Sequence, residues 1–178
     1  MKVIVQQGSI TDMECDAIIV NLFLGVRRPG GATGAVDKAL DGLISRKISE
    51  SAFKGELGEI ISLPTGAKVP AKEVIVVGLG RSDQFGYKEV QEASRAAAAH
   101  AAANPDIGRD TACRVSTIVH GAGIGGLDVE EAAAALVKGS ASGFGEDVNG
   151  KGTELVIVEF SADKIDDIKR GASLNLRF

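Results

Sequence analysis

Cysteine is scarce in this 178-residue chain, with only Cys15 and Cys113, so a disulfide scaffold is excluded as the source of stability. Tryptophan is absent and tyrosine occurs once, which argues against an aromatic interaction hot spot or a row of base-stacking rings. No run approaches the roughly 18 consecutive apolar residues that a membrane helix requires. The opening residues MKVIVQQGSI alternate like a strand and lack the basic-then-apolar profile of a signal peptide. Positive charge is in deficit, with a formal net charge of −4, which argues against a broad nucleic-acid footprint. These absences leave a globular protein without a membrane, expected in the cytoplasm and without an implied cofactor. At this length the chain is expected to form one domain, 1–178, with a core large enough to need no metal staple.

Glycine is abundant instead, at 23 residues, well above the average of about 7%. Short β-branched runs alternate with longer segments of helical period. The pattern predicts strands at Lys2–Gln6, Asp16–Asn21, Glu59–Leu63, Glu73–Val77, Arg114–His120 and Glu154–Glu159. Helices are predicted at Ala35–Ser49, Tyr87–Ala103, Val129–Ser142 and Ala162–Lys169. Asn104-Pro105 should stop the second, and Asp128 is placed to cap the third. Such alternation predicts a three-layer α/β/α fold around a mixed, mostly parallel sheet. Val74–Val77 and Val115–Val119, apolar on both faces, read as central strands, and Gly143–Gly152 reads as a mobile loop.

Three glycine clusters follow strands and precede helices: Pro29–Gly34, Gly78–Gly80 and Gly121–Gly126. In open α/β sheets these loops line the ligand crevice, and glycine lets backbone N–H groups turn toward an anion at a helix N-terminus. Asn21, Gly30, Gly31, Ala32, Thr33 and Gly34, with Gly121, Ala122, Gly123, Ile124, Gly125 and Gly126, are therefore candidate phosphate-loop residues. Tight turns at left-handed positions would account for the same glycines without a ligand. Neither a Walker loop nor a dinucleotide fingerprint is present.

Other polar residues give weaker signals. His120 could meet a phosphate, although a histidine at a strand end is more often a structural hydrogen-bonder, and His100 reads as a surface residue. Arg27-Arg28-Pro29 is either an anion contact beside the first loop or a solvated turn. Asp37 and Asp41 read as a solvent-facing helix surface, and the two cysteines as inert thiols. No acidic cluster has the spacing of a metal site, so no catalytic or metal-binding residue is assigned.

Phe53-Lys54-Gly55-Glu56-Leu57-Gly58-Glu59, followed by Val74-Ile75-Val76-Val77-Gly78-Leu79-Gly80-Arg81, resembles the N-terminal domain of the leucine (cytosol) aminopeptidases. The likeness extends through Glu92–Ala103, Glu130–Gly139 with Phe144, and Ile168–Arg177. That resemblance implies a domain distinct from the family's dimetal peptidase centre, acting in assembly or regulation as a homo-oligomer or with a peptidase-family partner. It also implies a macro-domain-like fold. Gly8-Ser9-Ile10-Thr11 with Asp16-Ala17-Ile18-Ile19-Val20-Asn21 resembles the opening macro motifs, and Gly30–Val36 and Gly121–Leu127 resemble its two phosphate loops. By this likeness ADP-ribose or another phosphorylated nucleotide is a candidate ligand. The macro aspartate that meets adenine falls at Ser9, and the asparagine that orients water in hydrolytic members falls near Phe23 or Leu24. Those departures argue against ADP-ribosyl hydrolysis.

Overall fold

In the computed structural model, which describes residues 1–107, 113–121, 123, 126–145 and 152–174, the apolar runs pair into one six-stranded sheet. The strands are β1 (Lys2–Gln7), β2 (Cys15–Leu22), β3 (Ile60–Pro64), β4 (Ala71–Gly78), β5 (Cys113–Thr117) and β6 (Thr153–Glu159). Their order across the sheet is β1-β6-β5-β2-β4-β3. Every pairing is parallel except β3 with β4, an antiparallel edge in which Ile61 faces Val76. Parallel strands need both faces covered, and Ile18, Val20, Val74, Val76, Leu155 and Ile157 are fully buried.

Five α-helices supply the cover: α1 (Gly31–Ala39), α2 (Leu43–Glu50), α3 (Tyr87–Ala103), α4 (Val129–Phe144) and α5 (Ile165–Leu174). Strand alternation sends Ile18, Val20, Val74, Val76, Val156 and Val158 toward Val36, Leu40 and Ile44 of the first two helices. The opposite face packs Ile19, Ile75 and Val115 under α3, and Leu155 and Ile157 under α4 and α5. The result is the expected three-layer arrangement. Among the described residues, no helix is long and apolar enough to cross a membrane.

Four expectations need correction. The helix predicted at Ala35–Ser49 is two helices, α1 and α2, separated by Asp41 and Gly42, both with positive φ (54° and 74°). Asp37 is buried rather than solvent-facing, because its carboxylate accepts hydrogen bonds from the Ser45 amide at 3.1 Å and the Ser45 hydroxyl at 2.5 Å, tying the two helices together. The strand predicted to run to His120 ends at Thr117, and the last predicted helix is a 3-10 turn, Ala162–Lys164, followed by α5. Most of the loop expected at Gly143–Gly152 lies outside the described residues, as do the last residues of the family-like C-terminal stretch.

Small residues set the helix spacing. A Cβ on Gly139 would lie 2.1 Å from the Gln91 carbonyl oxygen, and one on Gly143 would lie 2.2 Å from that of Arg95, so α3 and α4 pack backbone against backbone. The alanines Ala93, Ala97 and Ala101 of α3 are buried on another side of the helix, against Ile19, Ile75 and Val77 of the sheet.

A second close approach joins the family-like segments. The Glu59 carboxylate accepts from the amides of Lys54, Gly55 and Glu56 at 2.8–3.0 Å, closing the Phe53–Glu59 turn around its own anion. Gly55 (φ 88°) lies against the Phe23 carbonyl, and a Cβ on Gly78 would fall 2.0 Å from the Glu56 carbonyl oxygen. These contacts pin the end of β4 beside the end of β2, where the chain enters the candidate site.

Candidate nucleotide cleft

At the carboxyl ends of β2 and β5 the first and third glycine clusters face each other across a cavity of about 150 Å³. It is lined by Asn21, Gly30, Gly31, Ala32, Thr33, Gly121 and Gly123 together with Leu22, Phe23, Val26, Ile118 and Val119. A neighbouring cavity of about 510 Å³ shares Gly31, Ala32, Ile118, Val119 and Gly123 with it, so the two form one cleft. The larger part reaches Gly8, Ser9 and Ile10 after β1, and Val158, Glu159, Phe160 and Lys164 at the end of β6 and beyond.

The first cluster is itself the start of a helix. Gly30 is the N-cap of α1 and provides no side-chain acceptor, so the first amides of the helix are left to other partners. Thr33 instead turns its hydroxyl to the Asn21 carbonyl at 2.8 Å, which fixes the helix start against β2.

The glycines of these two loops are not equivalent. Gly31 and Gly121 have positive φ (54° and 81°), and Gly34 is pressed to the Pro29 carbonyl, where a Cβ would sit at 2.7 Å. Their backbones explain them. Gly30 has extended torsions (φ −116°, ψ −178°), and Gly123 has no positive φ. Among the described residues neither would have an atom within 4 Å of an added Cβ. Nothing among the described residues requires glycine at these two positions, and they stand on opposite walls of the cleft.

Of the other sequence candidates, Gly34 and Gly126 line neither part of the cleft. Ala122, Ile124 and Gly125 lie outside the described residues. The second glycine cluster, Gly78–Gly80, serves the contacts with the Phe53–Glu59 turn and lines neither part.

His120 is a structural residue behind the cleft wall, only 1% exposed. Its Nδ1 lies 2.9 Å from Asn21 Nδ2. Burial lowers its pKa to about 4, so the ring is neutral at pH 7 and its bare Nδ1 accepts from the Asn21 amide, with the proton on Nε2. That bond commits the Asn21 NH₂ to the wall.

Phe23 lines the smaller cavity with its ring edge-on to Phe85, centroids 4.9 Å apart, while Leu24 faces a separate hollow with Arg27 and Lys54. Neither fills the larger cavity. Arg27 and Arg28 are exposed and line no part of the cleft. Phe160, which composition gave no reason to single out, stands at the rim of the larger cavity with 79% of its surface exposed.

Elsewhere, an open hollow of about 990 Å³ occupies the opposite ends of the strands. Four of its charges are paired: Lys72 with Asp16 at 2.7 Å and Arg114 with Glu154 at 2.9 Å, while the Arg114 amide also donates to Asp16. Cys15 and Cys113 pack on opposite faces of the sheet as free thiols, and burial raises the pKa of both, Cys113 to about 11. Neither is an activated nucleophile. Among the described residues no three His, Cys, Asp or Glu side chains converge as a metal site would need.

A mixed, mostly parallel sheet between helix layers, with a two-loop cleft at its carboxyl edge, is the macrodomain architecture. The chain superposes on a Trypanosoma brucei macrodomain crystallised with ADP at a TM-score of 0.78 and 16% identity, covering 96% of this chain and 68% of that one. It superposes on an Oceanobacillus iheyensis macrodomain with MES bound at a TM-score of 0.74 and 16% identity, covering 97% and 90%. At such identities the likeness is one of fold.

Kinship comes from sequence. The family model for the cytosol aminopeptidase family, N-terminal domain, matches residues 19–147, and the chain belongs to that family. It is 33% identical over 81 residues to a probable cytosol aminopeptidase of Alkaliphilus oremlandii, and 35% identical over 85 residues to one of Alkaliphilus metalliredigens. Those alignments take in 46% and 48% of this chain but only 16% and 17% of the relatives, so the chain spans about a sixth of their length.

Proposed function

We propose that this chain is a non-catalytic, macro-like domain that binds a diphosphate-bearing nucleotide of the ADP-ribose class in the cleft between Gly30–Thr33 and Gly121–Gly123. The observation that carries this reading is the pair of glycines, Gly30 and Gly123, that neither torsion nor packing against the described residues demands and that open onto one cavity. A missing Cβ there lets a phosphate approach backbone amides at the start of α1. An exposed phenyl ring at the far end of the same cleft fits a base, since stacking a base on an aromatic side chain contributes about 1–3 kcal/mol. Macrodomains of the same fold have been crystallised with ADP and with ADP-ribose, which supports the ligand class.

Chemistry supports the non-catalytic reading: by the macro-domain likeness the water-orienting asparagine falls near Phe23 or Leu24, whose side chains have no group to hold water. We take residues 1–178 as one domain, resident in the cytosol as the name of its relatives implies, and regulating or assembling with a peptidase partner.

Titration calorimetry with ADP-ribose, ADP and inorganic phosphate tests the reading. Wild-type protein should bind ADP-ribose more tightly than ADP, and Gly30→Val and Gly123→Val should each weaken binding at least tenfold while keeping the urea midpoint. Absence of nucleotide binding by the folded wild type, with a concentration-dependent oligomer in light scattering, would instead favour a purely assembling domain.

A further inference from the structure

Charge in the cleft is distributed unevenly. The smaller cavity, where the two glycine loops meet, is lined by no charged side chain, so a diphosphate there would be held by backbone amides and the helix start. The larger cavity is lined by two charged residues, Glu159 and Lys164. One oxygen of Glu159 already accepts from the Ser161 amide at 2.8 Å, an arrangement that turns the carboxylate back onto its own chain.

Lys164 ends the 3-10 turn four residues after Phe160, is half-buried, and enters no ion pair among the described residues. The nearby acids of α5 are engaged with other cations: Asp166 lies 4.0 Å from Lys169, and Asp167 pairs with Arg170. An ammonium on a flexible four-carbon stem, placed at a cavity wall and not neutralised, is suited to an anion on the ligand rather than to a fixed internal partner.

The position of that anion follows from the two ends of the ligand. With the base on Phe160 and the diphosphate between Gly30 and Gly123, the sugar joined to the base spans the larger cavity beside Lys164. Its 2′ and 3′ hydroxyls are the substituents that a lysine at this wall can reach. Resting on the nucleotide reading above, we infer that the cleft selects a nucleoside diphosphate carrying a further phosphate on the 2′ or 3′ hydroxyl of the base-linked ribose, with Lys164 as the specificity-determining residue. A solvated lysine is the ordinary alternative, and it makes a different forecast: an added phosphate near Glu159 would then weaken binding.

The probes are ADP, 2′-phospho-ADP and 3′-phospho-ADP, titrated into wild type, Lys164→Ala and Lys164→Arg at two salt concentrations. One of the two phosphorylated probes should bind wild type at least tenfold more tightly than ADP. That ratio should fall toward one in Lys164→Ala, persist in Lys164→Arg, and shrink as salt is raised. Equal or weaker binding of both phosphorylated probes, or a preference that survives in Lys164→Ala, overturns the inference while leaving the nucleotide reading standing if ADP binds. Failure of all three probes on folded wild type removes both.

Discussion

Lowering the pH from 7 to 5 should destabilise the protein through His120. The ring is fully enclosed and its folded pKa is lowered to about 4 by desolvation, against 6.5 for an exposed histidine. Above pH 6.5 the ring is neutral whether the chain is folded or not, and it contributes no pH dependence. Between 6.5 and 4 the unfolded chain takes up a proton that the folded chain refuses, so stability falls as pH falls and levels off near 4. With those two values the loss at pH 5 relative to pH 7 is about 2 kcal/mol. At a usual urea slope this corresponds to a midpoint lower by roughly 1 M. The carboxylates with lowered pKa (Asp41, Asp83 and Glu92, each held down first by a hydrogen bond from a neighbouring Lys or Arg, and Glu154 by Lys2) start from ordinary values of 3.8 or 4.5. Their stabilisation is present above those values and is lost only below them, outside the window from 7 to 5. Urea denaturation at both pH values, on wild type and His120→Asn, checks the effect. Asparagine keeps an acceptor near Nδ1 but cannot titrate, so its midpoint should be lower at pH 7 yet nearly level between the two pH values. A wild-type midpoint that does not move, or an equal slope in the variant, would refute the claim that a neutral buried ring holds Asn21.

Three further outcomes are expected. Gly139→Ala should destabilise by about 1–3 kcal/mol in urea despite alanine's better helix propensity, because the new methyl meets the Gln91 carbonyl at 2.1 Å and the helices must separate. Asp37→Ala should cost about 2–3 kcal/mol, since it leaves the Ser45 amide and hydroxyl without their acceptor, while Asp41→Ala on the exposed Lys68 pair should move the urea midpoint far less. Phe160→Ala should leave the melting temperature within about a degree or two, consistent with an exposed ring, and should weaken ADP-ribose binding by roughly tenfold in calorimetry.

Much of the fold was legible because the sheet is parallel and buried on both faces, which writes β-branched runs such as Val74–Val77 and Leu155–Val158 into the chain. The break between α1 and α2 was not legible: Asp41 adopts a left-handed conformation that aspartate tolerates but does not advertise, and apolar spacing continues through it into Leu43 and Ile44. Asp37 was misread for a related reason, since its burial depends on Ser45 folding back from the next helix. In the cleft, sequence placed the two glycine loops after strands but could not separate Gly30 and Gly123 from Gly31, Gly34 and Gly121, which the backbone itself requires. Phe160 and Lys164 gave no periodic signal, because they lie on a turn just beyond β6 and reach the cleft only when β6 is set between β1 and β5. The signal available was a lone aromatic placed directly after an otherwise buried strand.

The Phe53–Glu59 turn has a consequence for how such domains diverge. Three amides gathered around the Glu59 carboxylate make a clasp whose anion is supplied from within, so this stretch neither needs nor admits a phosphate. It is nonetheless part of the stretch that carries the resemblance to the aminopeptidase family's N-terminal domain. The family likeness therefore lies in a fastening, and the proposed ligand cleft is separate from it, with walls that can change without loosening that fastening. Two descendants could share the clasp residue for residue and hold quite different molecules, or none.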